Sequence, residues 1–262
     1  MNLKNEKKII IQATKQAGQM LMKKFTTHDR AHVRLKSKHG VVTPADLASE
    51  KIILGAIKKH FPDHKILAEE KGQLGNQDSE YQWIVDPLDG TTNFSMGNPL
   101  FSISIALAKN NQIILGVIYV PFLDELYVAD QDKGATLNNK KINVSELNKI
   151  SEALLTFCHG NDEPSIKRAI NIHHHFKIAA KDIRQIGSAA IELAWVARGK
   201  TEAIIIPGAH SWDVAAGVLL VRQAGGIVTD MLGHEWNLNS QGIIASNKKI
   251  SDKLITIVKN IK

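Results

Sequence analysis

The apolar run Trp83-Ile84-Val85 leads without a break into Asp86-Pro87-Leu88-Asp89-Gly90-Thr91-Thr92-Asn93-Phe94. A chain with two carboxylates three residues apart at the end of a core strand must bring cations or strong donors to them, because a carboxylate left unpaired beside an apolar core is costly. Gly90 permits a tight backbone turn, and Thr91 follows it with a hydroxyl and an amide. A helix starting there would aim its free N–H groups at whatever the carboxylates hold, and a helix N-terminus favours a phosphate. The segment therefore proposes both halves of a Mg2+–phosphate site. Asp-Gly alone is a common turn dipeptide. The strand in front and the Asp-x-x-Asp-Gly-Thr spacing are what point to chemistry.

Further acids have the same context. Glu69-Glu70 follow the apolar run Ile66-Leu67-Ala68, again at a strand end. Asp46 follows Val41-Val42-Thr43 and opens a helix, and Asp213 lies in His210-Ser211-Trp212-Asp213-Val214-Ala215-Ala216-Gly217 at the start of an Ala-rich one. Each of these two Asp residues reads equally well as an N-terminal cap. With Glu69, Asp86 and Asp89 they supply hard oxygen ligands from separated segments, as two or three Mg2+ ions require beside phosphate and water.

Periodicity predicts helices over 5–26 and 46–60, the second stopped by Pro62. Strands are expected at 66–68 and 83–85, at 101–107 with the strict alternation of a half-buried strand, at 113–120 after an Asn110-Asn111 turn, and at 126–129. This half reads as antiparallel sheet covered by helices. The second half predicts helices at 188–198, 212–224 and 250–261, with strands at 203–206, 227–229 and 243–245. Gly225-Gly226 marks a helix stop. No repeat and no Pro/Gly/Ser-rich linker separates the halves. Residues 1–147, with most candidate ligands, and 148–262, completing the site, are expected to pack as two intimate lobes of one unit.

Composition narrows the partners. With 44% hydrophobic and 23% charged residues, the chain is globular rather than disordered. No run of eighteen apolar residues exists, so no membrane span is expected. Cys158 stands alone, and the first residues are unlike a signal peptide, so a cytoplasmic protein is expected. The net charge of +7 is uneven. Residues 1–40 carry ten Lys or Arg against two Asp or Glu, and residues 248–262 carry five against one, whereas 41–247 carry 18 against 23. The basic ends read as solvated helix faces. Aromatic residues make up only 5%, so nucleic acid is not the expected partner. His173-His174-His175 reads as helix surface, Cys158 shows no partners for a catalytic thiol, and no Walker A loop is present.

The Asp86–Phe94 segment resembles the first signature of the inositol monophosphatase family, and Trp212-Asp213-Val214-Ala215-Ala216-Gly217 with Gly225-Gly226 resembles the second. Val42-Thr43-Pro44-Ala45-Asp46, Ala68-Glu69-Glu70, the stretch from Gly134-Ala135 to Asn143-Val144-Ser145, and Gly187-Ser188-Ala189-Ala190 are similar as well. The resemblance spans nearly the whole chain. It implies an α+β fold of alternating layers, an αβαβα sandwich with mainly antiparallel and mixed sheets, in a homodimer. It also implies a lithium-sensitive, Mg2+-dependent phosphomonoesterase with two to three ions per site. Glu69, Asp86 and the Leu88 carbonyl would hold the first ion, and Asp86, Asp89 and Asp213 the second, with Glu69 contributing to a weaker third. Gly90 and Thr91 amides would bind phosphate, with Lys36 adding a charge. Asp46 and Thr91 would orient and deprotonate the attacking water.

One position departs from the family. Inositol-specific members carry a Glu seven residues before the Asp of the second signature. Here Ile206 stands there and cannot accept a hydroxyl hydrogen bond. Ser188, Ala189, Ile206 and His210, with Asp89, are the expected pocket for the leaving group. The expected substrate is a small phosphomonoester, an inositol phosphate or another sugar or polyol phosphate, with no clear preference for inositol phosphate. Nucleotides, fructose 1,6-bisphosphate and histidinol phosphate remain open, as does an RNA- or transcription-complex-binding role with incidental catalysis.

Overall fold

The computed structural model describes residues 3–26, the backbone of 34–35, and 41–261. Helix α1 (Lys4–Thr26) buries Ile10, Ala13, Ala17 and Leu21, a stripe at three- and four-residue spacing. It lies against α2 (Pro44–His60). Between them, β1 (Arg34–Leu35) and β2 (Val41–Val42) pair antiparallel.

The first sheet is built from β3 (Lys65–Ala68), β4 (Gly72–Gly75), β5 (Tyr81–Asp89), β6 (Ser102–Lys109), β7 (Gln112–Val120), β8 (Glu125–Asp130), β9 (Gly134–Leu137) and β10 (Lys140–Lys141). Their order is β10-β9-β8-β7-β6-β5-β3-β4. All pairs are antiparallel except β3 with β5. Helix α3 (Thr91–Ser95) follows β5 directly. The second sheet uses β11 (Leu154–Phe157), β12 (Asp182–Arg184), β13 (Ala203–Pro207), β14 (Ile227–Thr229) and β15 (Gly242–Ser246) in the order β12-β11-β13-β15-β14. The remaining helices are α4 (Glu163–Ala179), α5 (Ala189–Ala197), α6 (Ser211–Gln223) and α7 (Ser251–Asn260).

Packing orders these elements into five layers. Helices α1 and α2 cover the outer face of the first sheet, α5 and α6 fill the space between the sheets, and α4 and α7 cover the outer face of the second. The expected αβαβα sandwich is the observed fold, with both sheets mixed.

The layering corrects one expectation. Strand β6 alternates but is buried on both faces, not half-buried. Ile103, Ile105 and Leu107 join the core under α1 and α2, while Ala106 and Ala108 join the core shared with α5 and α6. The inner face carries small residues because α6 comes close. A Cβ on Gly116 of β7 would stand 2.7 Å from the Ala216 carbonyl oxygen. The sequence reads His173-His174-His175 as helix surface but gives that helix no bounds; it is α4. Its buried residues Ser165, Ala169, Ile172 and Phe176 keep helical spacing, but exposed Ile170 and Ile178 blur the apolar stripe. The tract His173-His174-His175 lies on this helix.

Candidate active site

The two Asp residues of the first motif sit within β5, which continues to Asp89 instead of ending at Val85. Side chains alternate along a strand, so residues three apart would normally face opposite sides. Here Asp86 pairs with Ser104 and Asp89 with Ser102, three steps against two. This one-residue bulge turns both carboxylates to the same face, that of α5 and α6. The parallel pairing of Ala68 with Val85 brings Glu69 alongside Asp86, and the Glu69 N–H donates to the Val85 carbonyl at 3.0 Å. Asp213, in the first turn of α6, accepts the His210 N–H at 2.9 Å.

These acids face a cavity of about 480 Å3, also lined by Leu88, Gly90, Thr91, Ala189, Ile206 and His210. Among the described lining residues none is Lys or Arg. Burial first, and then the charges of Glu69, Asp89 and Asp213, push the Asp86 carboxyl well above the usual carboxylate range. The carboxylates converge on one cavity rather than one point: among the described residues, no three His, Cys, Asp or Glu stand close enough to hold an ion between them as placed. Mutual repulsion of like charges favours that spread. The donor set itself, all carboxylate and carbonyl oxygen, suits a hard divalent cation such as Mg2+.

Asp89 has a second task. Its Oδ1 accepts the Ala189 N–H at 3.2 Å, and its Oδ2 accepts the Ala190 N–H at 3.0 Å and the Ser102 hydroxyl at 3.1 Å. It also accepts from the Ser188 hydroxyl. It thus anchors the N-terminus of α5, where a negative charge is favoured. Burial still raises its carboxyl to about 6, against the opposing pull of these donors. Ser188 is therefore not a pocket wall as expected. It is buried beneath the cavity, capping α5 and donating to Asp89.

Asp46 lies behind the cavity, fully buried. Its Oδ2 accepts the Thr43 N–H at 2.8 Å and the Thr43 hydroxyl at 2.6 Å, closing a capping box at the start of α2. Its Oδ1 is 2.8 Å from the Thr91 hydroxyl, which is also 2.9 Å from the Leu88 carbonyl oxygen. Burial, the largest influence, raises the Asp46 carboxyl despite these donors. Asp46 thus caps α2 and is at the same time hydrogen-bonded to Thr91. Gly90 adopts φ 85 as the residue before α3, and a Cβ there would meet the Leu100 carbonyl at 3.0 Å and the Gly187 carbonyl at 3.2 Å. Lys36 lies outside the described residues.

Ile206 forms an apolar wall at the end of β13, and the rings of His210 and Trp212 stack at 4.6 Å across the rim. Several residues were missed from sequence. Glu50, buried on α2, accepts the N–H groups of Glu70 and Lys71 at 3.1 and 3.2 Å and so fixes the turn after Glu69. Asn93 donates to the Leu100 carbonyl at 2.7 Å and the Ile186 carbonyl at 2.9 Å, tying the two halves together. Its place inside the first motif was the available signal. Ser102 offered only its polarity, which it shares with Ser104 in the same strand.

A five-layer α+β sandwich with acids that follow β3, lie in β5 and open α6 around one cavity supports a phosphatase. The comparisons agree. The model of the inositol monophosphatase family matches residues 2–262. An inositol-1-monophosphatase of Mesorhizobium japonicum is 38% identical over 96% of this chain and 95% of its own length. The Nus factor SuhB of Pasteurella multocida is 36% identical over 94% and 93%. The structure of an inositol monophosphatase from Anabaena superposes with a TM-score of 0.89 at 37% identity, covering 100% of this chain and 98% of that one. The chain belongs to the inositol monophosphatase family. No helix among the described residues is long and apolar enough to cross a membrane.

Proposed function

We propose that the chain is a Mg2+-dependent phosphomonoesterase acting on small sugar or polyol phosphates. The observation that carries this reading is the convergence of Glu69, Asp86, Asp89 and Asp213 on one cavity with no Lys or Arg among its described lining residues. Such a concentration of negative charge requires a cation before a phosphate can approach. Glu69, Asp86, the Leu88 carbonyl, Asp89 and Asp213 would hold two to three Mg2+ ions. When bound, the ions supply neutralisation of phosphoryl charge and a lowered pKa for water.

The chain's own residues supply the rest. Amides of Gly90 and Thr91 orient the phosphate. The Thr91 hydroxyl, 2.8 Å from Asp46 Oδ1, passes the proton of the attacking water to that buried carboxylate. Ile206 and Ala189 offer the leaving group an apolar wall without a hydroxyl acceptor, which supports a broad polyol specificity. Lithium inhibition, a homodimer and a cytoplasmic location belong to the same family-based reading.

The test is hydrolysis of a panel of inositol, sugar, nucleotide and amino-alcohol phosphates with and without Mg2+. Metal-dependent turnover of several small monoesters is expected. A large, exclusive preference for inositol 1-phosphate would contradict the reading of Ile206, and metal-independent turnover would contradict the metal assignment.

A second reading, docking to RNA or a transcription complex, is favoured by relatives named Nus factors and weighs against setting nucleic acid aside. The lysine-rich α1 and the Lys51, Lys58 and Lys59 side of α2 are the surface it would use. A salt-dependent shift of RNA at physiological ionic strength would support it.

A further inference from the structure

Glu192 lies on α5 with none of its side chain open to solvent, and it is not one of the acids facing the cavity. Its Oε1 accepts the Ile186 N–H at 3.2 Å, the Gly187 N–H at 3.1 Å and the Cys158 Sγ–H at 3.1 Å. A buried carboxyl placed where three donors converge from two other segments is an expensive feature for a structural helix, where an apolar residue would pack as well.

What those donors belong to gives the group its use. The segment Ile186–Ala190 is the surface on which the catalytic turn rests. The Ile186 carbonyl accepts from Asn93, the Gly187 carbonyl stands 3.2 Å from where a Gly90 Cβ would be, and Ser188, Ala189 and Ala190 all donate to Asp89. Gly187 itself adopts φ 85, a conformation with little intrinsic preference to hold it in place, and a Cβ on it would meet Asn93 Nδ2 at 3.3 Å.

We propose that Glu192 is a positioning residue for the phosphate-binding turn: by gathering the Ile186 and Gly187 N–H groups from beneath, it fixes the shelf that holds Gly90, Thr91 and Asn93 in register with Asp89. It touches neither substrate nor ion. Burial, the dominant influence, raises its carboxyl to about 8.

The inference rests on the phosphatase reading only for its kinetic readout. Amide hydrogen exchange is therefore measured alongside activity on the full chain. The N–H groups of Phe94, Met96 and Asn98 are bonded within and just after α3 and report on the turn. Glu192→Ala is expected to speed their exchange at least tenfold while the amides of β7 and α1 keep their protection. Glu192→Gln, which retains an acceptor oxygen at the same reach, should restore protection. With a small phosphomonoester and Mg2+, Glu192→Ala should lower kcat by about 10- to 100-fold with KM changed far less, because misplacing the turn disturbs orientation more than binding. If Glu192→Ala does not fold, Glu192→Asp, one methylene too short to reach both N–H groups, carries the same comparison. Unchanged exchange at residues 94–98, or a Gln variant as impaired as the Ala variant, overturns the positioning role. Altered exchange in a chain whose wild type shows no Mg2+-dependent turnover would instead overturn the phosphatase reading and leave the positioning role standing.

Discussion

At the scale of single residues, Asp86 carries the sharpest expectation. It is buried, and its carboxyl is raised first by burial and then by three neighbouring acids. Asp86→Asn should lower Mg2+-dependent turnover at least about 1000-fold, because it removes a ligand expected to be shared by two ions. In EDTA the same variant should melt no lower than wild type, since it removes a like charge from a repelling cluster. A variant with full activity, or one that unfolds, would exclude the assignment. Glu192 gives a pH signature with a definite sign. Its carboxyl is raised from 4.5 to about 8 in the folded chain. Between those values the folded state keeps a proton that the unfolded state releases, so the stabilisation is complete below about pH 4.5 and is lost as pH rises toward 8. Glu192→Gln should therefore flatten the decline of Tm from pH 5 to pH 8 in EDTA; an unaltered slope would count against the raised value. The acids of the motifs were legible in sequence because each follows an apolar run or opens a helix. Ser188 reads as a pocket wall and Asn93 carries no role of its own in the sequence, because their decisive partners lie in other segments, 99 residues away for Ser188 with Asp89 and 93 for Asn93 with Ile186.

At the scale of elements, the site depends on an irregularity and on a close approach. The bulge between Asp86 and Asp89 is what puts both carboxylates on one face. The sequence carries its ingredients, Pro87 inside the strand and Gly90 after it, yet the partner strand decides the register, so β5 was read as ending before the acids. Most helices and strands were legible from apolar period, since α1, α2, α5, α6 and α7 each lie within two residues of the expected bounds. Helix α4 and the short strands β9, β10, β11 and β12 were not, because two to four residues hold too little periodicity and α4 exposes two Ile residues. Gly116 tests the approach of the inner helix layer. Its φ imposes no demand for glycine, so the constraint is space: a methyl group would come within 2.7 Å of the Ala216 carbonyl and 3.1 Å of the Ala216 Cα, both backbone atoms. Gly116→Ala is expected to cost about 1–3 kcal/mol in urea unfolding, the range for overpacking in a filled core. A cost near zero would mean that α6 can move away from β7 freely.

At the scale of the whole molecule, the net charge of +7 conceals an acidic middle, and the fold gathers the decisive part of that middle into one cavity. Glu69 follows β3 and Asp86 lies in β5 of the first sheet, whereas Asp213 opens a helix between the sheets, so a cation bound by all of them would join segments far apart in the chain. Ligand that binds only the folded state stabilises it by mass action, about 2.7 kcal/mol at a concentration 100-fold above Kd. Mg2+ should therefore raise the Tm of the entire chain in one cooperative transition, and Ca2+ should do so too if the hard-oxygen donor set is what matters. Asp213→Asn should retain the EDTA melting temperature and lose most of the Mg2+ increment, because it leaves the β3 and β5 ligands without their partner on α6. A wild-type chain whose Tm does not respond to Mg2+ would show that the acids act as structural caps alone. An Asp213→Asn variant with the full increment would confine the ions to the first sheet and remove α6 from the site.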